Sequence, residues 1–116
     1  MGTVDDAATL YETALSLSRA AFAGRHYAMA YHALAGAMHA AFDHGDDERL
    51  VAVGNVAHEQ GSWLDKHDPG NELSSRSAAT RGSQSLWSSL QREVETRRQM
   101  LQGRRLLDQT HPRTGG

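Results

Sequence analysis

The sequence predicts an all-α fold: an antiparallel helical hairpin followed by two further helices, as a bundle or a repeat-like array. Three observations predict it. Thirteen of the 17 alanines, the best helix formers, stand in the first 42 residues. Apolar residues recur at three- and four-residue spacing in four segments, the helical period. Gly24, Gly45 and the run Asp68-Pro69-Gly70-Asn71 punctuate those segments as turns.

The first helix is expected over 5–23. Thr3 is its N-cap, with Asp5 and Asp6 in the first turn where the helix dipole favours negative charge. Leu10, Ala14, Leu17 and Ala21 give a 4-3-4 stripe, flanked by Tyr11, Leu15 and Phe22. Gly24 is expected to end it in the left-handed conformation. The second helix starts near His26, with Tyr27, Ala30, Tyr31, Leu34, Ala37, Met38 and Ala41 as its stripe, and stops at Gly45. So short a connection forces the two helices antiparallel. Their alanines allow an approach near the low end of the ~8–10 Å range of interaxial distances.

Asp46 caps the third helix, which runs to about Lys66 on a stripe of Leu50, Val53, Ala57 and Leu64, with Val56 and Trp63 alongside. Gly54 and Gly61 each weaken it by up to ~1 kcal/mol relative to Ala. Seven residues apart, they share a face, which predicts close contact with another helix or a kink. After the Asp68–Asn71 turn comes a Ser-rich stretch, 74–85, read as the most loop-like part of the chain with one short helical turn at Ser77-Ala78-Ala79. Ser83 is expected to cap a last helix over 84–107. The whole reads as one helical domain over 1–109 with a Ser-rich loop at 68–83, and a disordered tail at 110–116.

Tyr27, Ala30, Leu34, Ala37 and Met38, preceded by Leu17, stand at the spacing of a tetratricopeptide repeat, and residues 10–42 resemble one such helical hairpin. Gly24 lies one residue further from Tyr27 than in that pattern, and Asp43-His44-Gly45 replaces its closing proline. The resemblance implies protein or peptide binding in a helical groove, without catalysis.

Composition narrows the function classes. The 116 residues suit one domain, with 39% apolar and 6% aromatic content, so the core is built from Ala, Leu, Val and Met. The absence of cysteine excludes disulfides, thiolate nucleophiles and Cys metal sites. No run approaches a membrane span, and the acidic N-terminus lacks a signal-type apolar stretch, so no membrane association and a cytoplasmic location are expected. The net charge of −2 hides an asymmetry: residues 1–70 carry four basic and ten acidic side chains, residues 71–116 eight and four. That pattern suggests an acidic face meeting a basic one, in self-association or with an anionic partner.

Seven histidines invite a metal reading, for which His32, His39 and Asp43 share one helical face. No His-Glu-x-x-His or Glu-x-x-His motif, P-loop or nucleophile elbow accompanies them. The C-terminal arginines suit phosphate, but the acidic first half opposes a nucleic-acid partner. In the last helix Trp87, Leu90, Val94, Arg97 and Leu101 follow 3-4-3-4 spacing like a coiled-coil seam. Trp87, Leu90, Val94 and Leu101, with Arg97 and Arg98, are therefore the candidate interaction surface. The expectation is a protein–protein interaction or scaffolding module without catalysis or cofactor, binding a protein partner or itself. The alternatives are a metal- or small-molecule-binding bundle using His32, His39 and Asp43, and nucleic-acid contact through the C-terminal arginines.

Overall fold

A computed structural model describes residues 3–110, with side chains from 6 to 108. Among these residues there are five helices and no strand: α1 (Thr3–Ala23), α2 (Tyr27–Asp43), α3 (Asp47–His67), α4 (Ser75–Thr80) and α5 (Leu86–Thr110). The all-α class is as the spacing predicts. The side chain of Thr3, expected as a cap, and residues 111–116 of the expected tail lie outside the described residues. Thr110, assigned to that tail, is the last residue of α5.

α1 and α2 form the hairpin, α3 packs on α2, and α5 lies along α3 with a smaller contact to α2. The core is Tyr11, Leu15, Leu34, Met38, Leu50, Val53, Leu64, Trp87, Leu90 and their neighbours. On α1 the buried face is Tyr11, Leu15, Ser18 and Ala21, whereas Leu10 and Leu17 of the expected stripe are 64% and 50% exposed. Both stripes have helical spacing. The structure selects the one carrying the Tyr11 ring, which lies under the Arg49 guanidinium at 5.0 Å, and the Ser18 hydroxyl, which has a buried acceptor.

The helix ends follow local chemistry with two shifts. Asp46 caps α3 as expected, its carboxylate accepting from Arg49 N at 3.1 Å. α5 is capped by Ser85 rather than Ser83: Ser85 Oγ accepts from Ser88 N at 3.1 Å, while the Ser83 hydroxyl donates to the Ala78 carbonyl. The left-handed residue after α1 is Arg25 (φ 65°), not Gly24. Arg25 N bonds Phe22 O and His26 N bonds Ala21 O, the paired closure of a Schellman motif, which puts the positive φ one residue past the glycine.

The Ser-rich segment is pinned rather than free. Ser74 Oγ donates to Pro69 O and Ser77 Oγ to Asn71 O, both at 2.7 Å, and Asp65 accepts from Ser75 N at 2.8 Å. Ser74 and Ala78 are buried.

α3 and α5 run antiparallel in a register set by the two glycines. A Cβ on Gly61 would stand 3.0 Å from Trp87 Cβ, and one on Gly54 3.4 Å from a Val94 methyl. Glycines seven apart on α3 thus receive large residues seven apart on α5, which is the close helix contact predicted for that face.

Candidate functional site

The predicted interaction surface is used within the chain. Trp87, Leu90, Val94 and Leu101 are buried in the core, so the seam is closed by the rest of the bundle rather than left for a second molecule. Arg98 grips Asp47 through two bonds, Nε to Oδ1 at 2.9 Å and Nη2 to Oδ2 at 3.2 Å, and also bonds Glu95. That hydrogen bond holds the Asp47 carboxyl below the usual carboxylate range, with the neighbouring positive charges of Arg98 and Arg105 adding to it. Arg97 and Arg104 stand over the Phe42 ring at 5.1 and 5.0 Å. Acidic and basic halves therefore meet in cis, where the start of α3 faces the second half of α5.

The predicted metal set does not assemble. His32, His39 and Asp43 are exposed on α2, and no group of three His, Cys, Asp or Glu able to share an ion occurs among the described residues. Residues seven apart on a helix are separated by ~10.5 Å along its axis, two turns rather than the single turn that separates paired histidine ligands of one helix.

What the fold does build is a chain of buried polar groups joining its four long helices. Trp87 Nε1 donates to Gln60 Oε1 at 2.9 Å, Gln60 Nε2 to Ser18 Oγ at 3.2 Å, and Ser18 Oγ to Ala30 O at 2.7 Å. Each group is paired, which removes the roughly 1–3 kcal/mol penalty of an unmet buried donor or acceptor. The chain fixes α5, α3, α1 and α2 against one another at a single level of the bundle.

Directly beside this level lies a cleft of about 470 Å³, between the end of α1, the turn after it and the middle of α3. Its walls are aromatic. Phe22 meets Tyr27 at 5.0 Å between ring centroids and Trp63 at 5.6 Å, the latter edge-to-face at 80°. Trp63 is 41% exposed, and the His67 ring stacks on it at 4.5 Å and 18°. His67 Nδ1 lies 3.0 Å from the Trp63 carbonyl oxygen, a bond in which the nitrogen donates. Gln60 and Val56 also line the cleft. Arg19, Arg25 and Glu59 supply its charges; all three are exposed, and none has an ion-pair partner among the described residues.

Compared with protein-family models, curated proteins and solved structures, the chain matches none. Its own geometry therefore carries the functional reading.

A second surface lies on the outer side of the hairpin. Leu10, Ala14 and Leu17 run along α1, and Met29, Ala33, Gly36 and Ala40 along α2. A Cβ on Gly36 would lie 3.9 Å from Ala14 Cβ, so the two rows are adjacent. Leu10, Leu17 and Met29 (54% exposed) rise on either side of a low strip of small residues.

Neither surface was named from the sequence, although signals exist. Arg19, Phe22 and Ala23 share one face of α1, and Val56, Glu59, Gln60 and Trp63 share one face of α3, at three- and four-residue spacing. Ser18 and Gln60 are polar residues at core positions, the sequence mark of the buried chain. Only the packing of α3 on the hairpin brings the two faces together.

Proposed function

We propose that the chain is a non-catalytic interaction module whose partner is a protein that docks on the outer face of the α1–α2 hairpin. The observation that carries this reading is the set Leu10, Leu17 and Met29, each at least half exposed around a strip of small residues. Burying such side chains on association contributes about 1–2 kcal/mol each. The small strip lets a partner helix approach closely, and the two flanking ridges receive it as a groove receives an amphipathic helix. The resemblance of residues 10–42 to a tetratricopeptide hairpin supports the same class of function. Under this reading α3 covers one side of the hairpin and the partner the other.

The test compares wild type with the double variant Leu10→Asp/Leu17→Asp. Both positions are exposed, so the melting temperature is expected to stay within about 2 °C. A protein cross-linked through position 13, exposed between the two leucines, in native extract, and lost from the double variant, is the expected result. Identical recovery by both proteins would end the proposal.

A further inference from the structure

We propose that the cleft between α1 and α3 binds a small aromatic zwitterion, of the class of free aromatic amino acids. Its ring packs against the exposed side of the Phe22, Tyr27 and Trp63 cluster, its carboxylate on Arg19 and Arg25, and its ammonium on Glu59. This site is separate from the hairpin's outer face, and neither depends on the other.

Size and shape come first. A cleft of about 470 Å³ falls in the range of small-molecule sites, which are mostly apolar with a few polar groups that fix orientation. Three rings wall it, with centroid separations of 5.0, 5.6 and 6.4 Å and interplanar angles of 60°, 80° and 42°. Rings at such angles offer faces and edges together, as offset or edge-to-face contacts require. Trp63 is already held by the His67 stack and the hydrogen bond beneath it, so little side-chain freedom is lost on binding.

Charge then selects among ligands. Arg19 and Arg25 come from α1 and its turn, and Glu59 from α3. No ion pair joins them among the described residues, so the rim of the cleft presents both signs beside an aromatic wall. A polyanion would meet Glu59, and a purely apolar ligand would leave all three charges without a partner. A ligand with a ring and both charges satisfies every group. A guanidinium suits a carboxylate in particular.

The experiment titrates the ¹⁵N-labelled full chain with L-phenylalanine to about 10 mM, the range where ligands of this size bind. The Trp63 indole N–H and the Arg25 and Glu59 amides are expected to move together, and the Trp87 indole less. Phenethylamine, which lacks the carboxylate, and N-acetylphenylalanine, which lacks the ammonium, should each bind about tenfold more weakly. L-alanine, which lacks the ring, should leave the spectrum unchanged. Arg25→Gly, which suits the turn, and Arg19→Gln should weaken phenylalanine binding but not phenethylamine binding. Glu59→Gln should bring phenylalanine and N-acetylphenylalanine within about twofold of each other. Absence of any shift at about 10 mM, or equal binding of phenylalanine and its two one-charge analogues, would overturn the proposal. So would equal binding of N-acetylphenylalanine amide, which would assign the cleft to a peptide side chain.

Discussion

At the turn between α1 and α2, Arg25 occupies the left-handed position while Gly24 before it does not. The same motif closes α2 and α4 with glycine, Gly45 at φ 68° and Gly82 at φ 74°. The hairpin turn therefore carries strain that the other two avoid. Replacing Arg25 by Gly removes a Cβ clash worth roughly 1–2 kcal/mol and adds about 0.5–1 kcal/mol of unfolded-chain entropy. The expected outcome is a net stabilisation of about 0.5 kcal/mol, seen as a rise of about 2–3 °C in Tm. A lower Tm would mean that the Arg25 side chain contributes more to the fold than its backbone costs. Gln60 makes a related point. It is a polar residue in a stripe that reads as apolar, and its amide is paired on both sides, to Trp87 and to Ser18. That pairing makes a core position tolerable for glutamine.

At the scale of elements, the α3–α5 pair is decided by two glycines whose roles differ. A methyl on Gly61 would press on Trp87 Cβ, an atom fixed to the backbone, at 3.0 Å. A methyl on Gly54 would meet a Val94 methyl at 3.4 Å, close to ordinary contact. Both substitutions gain up to ~1 kcal/mol of helix propensity. Gly54→Ala is expected to raise stability by about 0.5 kcal/mol in urea denaturation. Gly61→Ala is expected to lower it by about 1–2 kcal/mol, because separating the helices at Trp87 loosens the best-packed part of the core. Equal effects from the two would refute a register set by these contacts. The glycines' shared face was legible in the sequence, as were the four long segments, the Asp46 cap and the turn at 68–71. The choice of face on α1 was not. Leu10–Leu17 and Tyr11–Leu15–Ser18 have the same period, and nothing within α1 ranks them. The seam of α5 was legible as a seam, but a 3-4 repeat does not say whether its partner is in cis.

Over the whole molecule, the described chain measures 61 × 36 × 17 Å. The shortest dimension is about two helices thick, given interaxial distances of ~8–10 Å. A slab of this shape leaves each outer helix with a broad uncovered side, which is why Leu10, Leu17 and Met29 remain exposed on the hairpin. Charge is arranged at the same scale. The acidic start of α3 and the basic half of α5 meet through Asp47 and Arg98, 51 positions apart. Because the guanidinium depresses the Asp47 carboxyl in the folded state, the folded protein binds that proton less readily than the unfolded chain. The pair's stabilisation is therefore fully present above the unfolded carboxylate value of about 3.9 and is lost as pH falls through the lower folded value. Thermal melts from neutral to acid pH should show Asp47→Asn with a lower Tm than wild type at neutral pH. The gap should close as the medium becomes acidic. Parallel curves would show that the pair does not contribute.

By itself the sequence determined the helices, their turns and the small-residue hairpin, because these follow from period, propensity and capping within a few residues. It also showed the charge asymmetry and the seam of α5. Only the tertiary structure decided which side of α1 is buried, that the seam and arginines of α5 are spent on its own α2 and α3, and that Arg19, Phe22, Glu59 and Trp63 converge on one cleft. Those outcomes depend on contacts between residues far apart in the chain, 27 positions for Gln60 and Trp87 and 51 for Asp47 and Arg98, whose alternatives look the same to any local pattern. They are settled by which packing buries the Trp87 ring and pairs its indole N–H with Gln60 and, through Gln60, with Ser18.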